Sequence, residues 1–295
     1  MHAIEVTETG GPGVLRHVDQ PQPQPGHGEL LIKAEAIGVN FIDTYFRSGQ
    51  YPRELPFVIG SEVCGTVEAV GPGVTAADTA ISVGDRVVSA SANGAYAEFC
   101  TAPASLTAKV PDDVTSEVAA SALLKGLTAH YLLKSVYPVK RGDTVLVHAG
   151  AGGVGLILTQ WATHLGVRVI TTVSTAEKAK LSKDAGADVV LDYPSLASLA
   201  VRGTLALFGA ASGPVPPVDP QRLNAAGSVY LTRPSLFHFT RTGEEFSWRA
   251  AELFDAIGSE AITVAVGGRY PLADALRAHQ DLEARKTVGS VVLLP

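Results

Sequence analysis

A glycine-rich turn is the part of this sequence best suited to chemistry. It follows the apolar run TVLV at 144–147 and precedes a stretch of helical spacing at 156–165, and its residues are Gly150, Gly152, Gly153, Val154 and Gly155. The spacing G-x-G-x-x-G permits a tight turn and lets backbone N–H groups approach a pyrophosphate at a helix N-terminus. Such glycines can be purely structural, but the strand before them and the helix after them favour a dinucleotide site.

The end of the next predicted strand, 168–173, bears on which dinucleotide would bind. Sites for NAD usually carry an Asp or Glu about 20 residues beyond the glycines, where it holds the ribose 2′-OH. This chain has Ser174 and Lys178 in that region, a hydroxyl and a cation that suit a 2′-phosphate and favour NADPH over NADH. An alternative stays open, in which Ser174 or Thr175 caps the following helix and Lys178 is a solvated surface residue.

Two patterns of secondary structure must position these residues. In the first part of the chain, short predicted strands are separated by Gly-Pro, Gly-Asp and Asn-Gly pairs, which indicates a compact antiparallel or barrel-like module. These strands lie at 30–38, 65–71, 85–89 and 95–99. Further along, strands and helices alternate, which predicts a parallel sheet covered by helices. The predicted elements of this part and of the chain end are strands at 168–173, 188–193, 203–209 and 289–294 and helices at 176–185 and 271–283.

Composition excludes several classes of partner. The chain is 46% hydrophobic and 18% charged, with a formal net charge of −6. It therefore lacks the basic surface that nucleic acid or an anionic membrane would attract. The first residues do not resemble a signal peptide, and no apolar run approaches the roughly 20 residues of a membrane span. We expect a soluble, cytoplasmic protein with no nucleic-acid or membrane partner.

Cysteine and histidine usage argues against a metal. Cys64 and Cys100 are too few for a disulfide scaffold or a four-thiolate zinc site, and the eight histidines have no close ligand spacing. Cys64 lies in a strand-like alternation, which favours a buried structural thiol over a catalytic one. We predict no metal.

Several segments in order give the chain a family resemblance. They are GVNFIDTYFRSGQYP at 38–52, KGLTAHYLL at 125–133, the glycine turn, and TRPSL at 232–236. With these segments the chain resembles the zinc-independent, zeta-crystallin-like quinone oxidoreductases of the medium-chain dehydrogenase/reductase superfamily. The resemblance implies an α/β protein with a GroES-like, β-barrel-type catalytic domain at 1–121 and 266–295. It also implies a Rossmann NADPH-binding domain, with a doubly wound parallel sheet, at 122–265.

The resemblance implies the site residues as well. It places the 2′-phosphate contacts at Ser174, Lys178, Tyr193 and Arg285. It places other cofactor contacts at Thr128, Phe208 and Gly209. The substrate-pocket positions match Asn40 and Tyr45, with Tyr51 a weaker candidate, and these supply an amide and phenol donors. Ordinary packing of each tyrosine is the alternative.

The expected chemistry follows from what differs from zinc-dependent relatives. Those relatives carry a ligand cysteine where Asn40 stands, and Gly-His-Glu where residues 60–62 read Gly-Ser-Glu. Without a Lewis acid, alcohol oxidation is disfavoured, whereas a quinone accepts electrons or hydride readily. We expect an NADPH-dependent reductase of small quinones that forms a homodimer. The alternatives are a reductase of activated C=C bonds such as enones, and a non-catalytic NADPH-binding protein.

One departure from the family concerns the connection after Tyr193. Only nine residues, 194–202, separate it from the next predicted strand. The family has about thirty more residues here, and a parallel crossover usually needs about a dozen or more. Loss of a central strand would leave backbone groups of its neighbours unpaired in the interior. We therefore expect the natural protein to carry a further segment at this place.

Overall fold

The computed structural model describes every residue except 76–78, 192–198, 212 and 214, and it divides into two compact units. The first unit comprises Met1–Lys125, Thr242–Glu260 and Val264–Pro295. The second comprises Gly126–Arg241 and Ala261–Thr263. The predicted boundaries assign 242–260 to the nucleotide-binding domain, whereas its contacts group this segment with the first unit.

The elements are numbered along the chain. The strands are β1 His2–Val6, β2 Leu15–Asp19, β3 Glu29–Val39, β4 Phe57–Val58, β5 Glu62–Val70, β6 Arg86–Ser89, β7 Phe99–Pro103, β8 Thr107–Lys109, β9 Thr144–Val147, β10 Arg168–Thr172, β11 Val189–Leu191, β12 Thr204–Ala206, β13 Tyr230–Thr232, β14 Val266–Pro271 and β15 Ser290–Leu294. The helices are α1 Phe41–Arg47, α2 Ser116–Tyr131, α3 Gly153–His164, α4 Ala176–Asp184, α5 Pro220–Ala225, α6 Leu236–Phe239, α7 Gly243–Gly258 and α8 Ala275–Glu283.

The first unit is built on β3, the longest strand. β3 pairs antiparallel with β5, β7 and β15, within a sheet ordered β14-β15-β3-β5-β6-β8. A second sheet has the order β2-β1-β4. Apolar side chains from both sheets, including Ile4, Leu30, Ile32 and Val291, form one buried cluster. Burial of this cluster is what the alternating pattern of the strands predicts, since successive side chains of a strand point to opposite faces.

The predicted strand at 95–99 is wrong, because the regular strand β7 begins only at its last residue, Phe99. The preceding residues are irregular, with a single antiparallel bridge between Ala3 and Ala97. In this segment the ring of Tyr96 fills the space beside Gly60, where a side chain would collide with it. The polypeptide here therefore serves to place Tyr96 rather than to extend the sheet.

The second unit contains only parallel strand pairs among its described residues. One sheet has the order β11-β10-β9 and the other pairs β12 with β13. Helices alternate with these strands, so the predicted α/β fold class is confirmed. Both β9 and β12 lie at sheet edges, and β9 is exposed at Thr144 and half-buried at Val145 and Leu146. A first strand of a doubly wound sheet is normally central and buried.

Two further expectations from the sequence concern the cysteines and membrane-spanning helices. Cys64 and Cys100 are both fully buried, and burial raises the pKa of each thiol to about 12, as expected for structural thiols. Among the helices of the described residues, none combines the length and the apolar character needed to cross a membrane.

Candidate active site

The glycine turn links β9 to α3 in the second unit. The N-cap of α3 is Gly152, a residue with no side chain to cap this end of the helix. A Cβ on Gly155 would collide with the carbonyl of Ala149, and a Cβ on Gly150 would press on Thr171 and Ser182. These two glycines are therefore required by close packing of the turn against strand and helix.

The start of α3 can accept an anion. The first-turn N–H groups, those of Gly153, Val154 and Gly155, belong to a helix end whose N-cap glycine offers them no side-chain acceptor. Such groups need acceptors and carry the positive end of the helix dipole. At Gly152 the nearest atom to an added Cβ is 3.3 Å away, so this side of the turn is the more open one. The turn fits the pyrophosphate of a dinucleotide.

The segment from the end of β10 into α4 contains the two residues, Ser174 and Lys178, that are predicted to favour NADPH over NADH. Thr175 caps α4, since its hydroxyl accepts a hydrogen bond from the N–H of Lys178 at 3.2 Å. Of the two candidate capping residues, Thr175 takes that role, and Ser174 is exposed two residues beyond the end of β10. Lys178 lies in the first helical turn and is half-buried.

The other predicted cofactor residues lie in separate parts of the chain. Thr128 is buried on α2. Phe208, 37% exposed, and Gly209 follow β12 in a loop that Arg233 holds by donating to the carbonyls of Leu207 and Gly209 at 3.2 and 3.1 Å.

Two predicted phosphate contacts do not belong to the described part of the second unit. Arg285 lies in the first unit, exposed after α8 with a positive φ of 57°. Tyr193 lies outside the described residues. Their assignment to the cofactor stays a prediction.

Asn40 is the centre of a buried polar cluster in the first unit. Its side-chain Nδ2 donates to Glu62 Oε2 at 2.7 Å, and its Oδ1 accepts from Lys125 Nζ at 2.8 Å. The second carboxylate oxygen of Glu62 accepts from the N–H of Leu124 at 2.7 Å, and the Lys125 ammonium lies 3.7 Å from Glu62 Oε2. We call these three side chains, Asn40, Glu62 and Lys125, the amide cluster. Its members are at most 7% exposed.

The charges of the amide cluster balance each other. Burial raises the pKa of Glu62 above its usual range, and Lys125 and the amide of Asn40 counteract part of that rise. A Cβ on Gly38 would overlap the Glu62 carboxylate and the carbonyl of Ala120. The strand therefore carries a glycine at the point where the carboxylate needs the space.

The Asn40 amide is already engaged inside the protein, which limits its predicted role as a donor to substrate. One Nδ2 hydrogen goes to Glu62, and among the described residues the other has the carbonyl of Gly38 as its partner, at a long 3.5 Å. A hydrogen bond of that length is weak. Because Lys125 withdraws electron density from Oδ1, this second hydrogen is a stronger donor than that of an ordinary amide.

The two candidate tyrosines lie side by side. The ring centroids of Tyr45 and Tyr51 are 5.4 Å apart, and the N–H of Tyr51 donates to the carbonyl of Tyr45 at 3.0 Å. Phe46 packs edge-on against Tyr51 at 5.7 Å. Tyr45 is 9% exposed and Tyr51 is half-buried. The structure thus brings the two phenols together on and just after α1, which Asn40 precedes.

Sequence reasoning missed Glu62 and Lys125 as functional candidates, although Glu62 ends the Gly-Ser-Glu at 60–62 and Lys125 begins the segment KGLTAHYLL. Each is a charged residue inside a largely apolar segment, FVIGSEVCGTV at 57–67 and AASALLKGLTA at 119–129. Charged residues are seldom fully buried unless they are paired. A charge in an apolar run was therefore the available signal that the two residues form a pair.

The amide cluster does not fit a zinc ion. The one ligand atom that Asn40 could offer, Oδ1, accepts from an ammonium 2.8 Å away, and that positive charge would repel a divalent cation. Within the described ranges, no group of three or more His, Cys, Asp or Glu side chains is arranged to hold a metal. The absence of a metal stays a prediction.

Comparisons with known proteins agree on the family. Residues 26–112 match the family model described as alcohol dehydrogenase GroES-like domain, and residues 165–293 match that described as zinc-binding dehydrogenase. A quinone oxidoreductase of Pseudomonas aeruginosa is 42% identical over 325 positions, covering 99% of both chains. A 2-haloacrylate reductase of a Burkholderia species is 37% identical, covering 99% of this chain and 98% of its own.

Among solved structures, mycobacterial Rv1454c complexed with NADPH is 90% identical with a TM-score of 0.99, covering 100% of both chains. The chain belongs to the quinone oxidoreductase family of the medium-chain dehydrogenase/reductase superfamily. The family resemblance expected from the sequence motifs is thereby confirmed.

The comparison with the Pseudomonas relative bears on the short connection after β11. The alignment with the Pseudomonas relative spans 325 positions, whereas this chain has 295 residues, so about 30 positions of the relative lack a counterpart. We expect the intact protein from its natural source to be about 3 kDa heavier than 30.6 kDa, because β9 and β12 both end their sheets where a central strand belongs. Electrospray mass spectrometry measures this directly. A mass of 30.6 kDa would contradict the expectation.

Proposed function

We propose that this protein is an NADPH-dependent oxidoreductase that reduces small quinones by electron or hydride transfer without a metal. The observation that carries the proposal is the similarity over the full chain to proteins named quinone oxidoreductase. The structure of Rv1454c complexed with NADPH supports the choice of cofactor. We further propose a cytoplasmic homodimer, with the exposed Tyr230 of β13 as a candidate contact.

The chain's own residues account for cofactor binding in this proposal. When bound, NADPH supplies a hydride from its nicotinamide ring. The first-turn N–H groups of α3 hold the pyrophosphate oxygens, and Ser174 and Lys178 meet the 2′-phosphate. Further contacts proposed from the family resemblance alone are Thr128, Phe208 and Gly209 and, for the phosphate, Tyr193 and Arg285.

Acceptor binding falls to the amide cluster and the tyrosine pair. Electron gain by a quinone places negative charge on its oxygens, and hydrogen-bond donors fixed in a desolvated site stabilise that charge. The second Nδ2 hydrogen of Asn40, strengthened by Lys125 at Oδ1, is one such donor. The phenols of Tyr45 and Tyr51 are the others. The Lys125 ammonium adds a fixed positive charge to the same cluster.

Two other functions have specific support. The Burkholderia relative is named 2-haloacrylate reductase, and an acrylate carries an activated C=C bond, so reduction of enones is the second candidate. A non-catalytic NADPH-binding protein is the third, favoured by the edge position of β9 beside the glycine turn.

The proposal predicts a preference among acceptors. With NADPH in excess, 1,4-benzoquinone and its simple derivatives should support turnover at least about tenfold faster than matched cyclic enones, because a quinone needs less assistance to accept electrons. Loss of absorbance at 340 nm measures both reactions. Faster reduction of the enones would select the second candidate, and NADPH binding without turnover of any acceptor would select the third.

A further inference from the structure

A second set of buried polar side chains adjoins the amide cluster and has no role in the function proposed above. Asp43, in the first turn of α1, accepts at Oδ2 from the backbone N–H of Asn40 at 2.8 Å and from the hydroxyl of Tyr96 at 3.0 Å. Tyr96 also contacts His279 Nε2 at 3.0 Å, and His279 Nδ1 contacts Arg47 at 2.9 Å. All five residues are buried, and the chain of contacts runs from α8 to the start of α1.

The direction of every hydrogen bond in this chain follows from its first member. A guanidinium can only donate, so His279 Nδ1 must accept and carries no proton. The neutral imidazole then carries its proton on Nε2, which donates to the oxygen of Tyr96. The single hydroxyl hydrogen of Tyr96 is left to donate to Asp43. Each link thus fixes the next, from Arg47 to the carboxylate.

The surroundings hold each group in the form that this direction requires. Burial and the neighbouring Arg47 lower the pKa of His279 to about 3, which keeps the imidazole neutral. Burial and the negative charge of Asp43 raise the pKa of Tyr96, which keeps its hydroxyl protonated. Arg47 is itself fixed by Glu283 at 2.6 Å and by the carbonyl of Gly10 at 3.1 Å.

We propose that Tyr96 and His279 are positioning residues. With Arg47 they form a one-directional chain of hydrogen-bond donors that holds Asp43, and through it Asn40, in the orientation that binds the quinone. This inference rests on the proposed function, because it gives Asn40 its role. Asp43 fixes the backbone of Asn40, whereas Glu62 and Lys125 fix its side chain. Asn40 is thus constrained from both ends.

This series of hydrogen bonds makes the orientation of Asn40 sensitive to pH. Burial raises the pKa of Asp43 to about 7, while the bonds from Asn40 and Tyr96 counteract part of that rise. The charged and titratable groups that interact with Asp43 are Tyr96, Glu62, Lys125 and Arg53. A proton on Asp43 would remove one acceptor position from Oδ2. The orientation of Asn40 should therefore be fixed above about pH 7 and loosened below it.

Replacement of Tyr96 by phenylalanine tests whether the hydrogen bonds from Arg47 to Asp43 position Asn40. Loss of the hydroxyl removes a bond that favours the carboxylate, so the lower limb of the kcat/KM profile should move to higher pH by about half to one unit. Tyr270→Phe is the matched control. It removes a tyrosine–aspartate hydrogen bond of 2.9 Å, to Asp281, that is not part of the series of hydrogen bonds from Arg47 to Asp43. Its profile should coincide with that of the parent protein. A Tyr96→Phe profile that does not move would overturn the proposal.

A pair of substitutions at His279 keeps the test valid if Tyr96→Phe fails to fold. Glutamine offers an acceptor for Arg47 and a donor for Tyr96, whereas leucine offers neither. His279→Gln should retain the parent profile, and His279→Leu should shift it upward. Identical profiles for the two variants would overturn the positioning role.

A measurement without turnover separates this inference from the proposed function. The ¹³C resonance of the Asp43 carboxyl, assigned by its absence in Asp43→Asn, should titrate at a higher pH in Tyr96→Phe than in the parent protein. If the shift occurs but no quinone is reduced, the chain of donors stands and the proposed function fails. If quinones are reduced but the resonance does not shift, the chain of donors is the part that fails.

Discussion

Replacing Lys125 by methionine is expected to lower the free energy of unfolding by about 3–5 kcal/mol, because it leaves the Glu62 carboxylate buried without its cation. The methylene stem is kept in methionine, so the loss of packing is small. Chemical denaturation followed by circular dichroism gives the change. The matched control is Lys109→Met, which removes an exposed lysine–carboxylate pair with Asp85, 2.8 Å between Nζ and Oδ2, and should cost less than about 1 kcal/mol.

The cost of Lys125→Met should depend on pH in a defined direction. The pKa of Glu62 is raised by burial, so the folded protein holds a proton more firmly than the unfolded chain, and stability falls as pH rises above the usual pKa of a glutamate. Without Lys125 that pKa rises further, and the loss of stability extends over a wider range of pH. The difference between variant and parent should shrink toward pH 4.5, and a second change, Glu62→Gln, should restore much of the lost stability. A pH-independent difference would contradict the buried ion pair.

Replacing Lys178 by alanine is expected to lower kcat/KM for NADPH by about tenfold while leaving that for NADH unchanged. On the proposed assignment, the substitution removes a charge-assisted hydrogen bond to the 2′-phosphate, and NADH has no such phosphate. Steady-state kinetics with each cofactor and one fixed quinone measure the ratio.

Lys180→Ala provides the control for that experiment, because Lys180 is an exposed lysine on the same helix, two residues further along. It should leave the preference for NADPH intact. An equal loss for NADPH and NADH in Lys178→Ala would assign Lys178 to helix stability rather than to the phosphate. If Lys178→Ala left the preference for NADPH over NADH unchanged, Lys178 would be a solvated surface residue, as in the alternative interpretation.

The sequence predicts the α/β fold well because its signals are local. The periodicity of β3, β5 and β10 and the glycines at 150–155 each lie within a dozen residues and specify an element directly. The strand predicted at 95–99 failed for a non-local reason. Tyr96 is turned toward Gly60 and His279, contacts that its own segment does not reveal.

The candidate site was predicted less completely for the same reason. Asn40 and the tyrosines could be named from their motif, but the side chains that hold Asn40 could not. Tyr96 lies 53 positions from Asp43, and His279 lies 183 positions from Tyr96. No spacing rule links such residues, because only the folded first unit brings them together. The apolar runs around Glu62 and Lys125 were the one usable local sign of buried charge.

The central claim is that NADPH bound at the glycine turn reduces a quinone without the help of a metal. The most direct measurement is a stopped-flow single turnover, in which chelator-treated protein preloaded with one equivalent of NADPH is mixed with 1,4-benzoquinone and followed at 340 nm. We predict complete oxidation of the bound NADPH in one exponential phase, at a rate that added zinc does not change. Bound NADPH that stays reduced until zinc is added, or that is never oxidised, would contradict the claim.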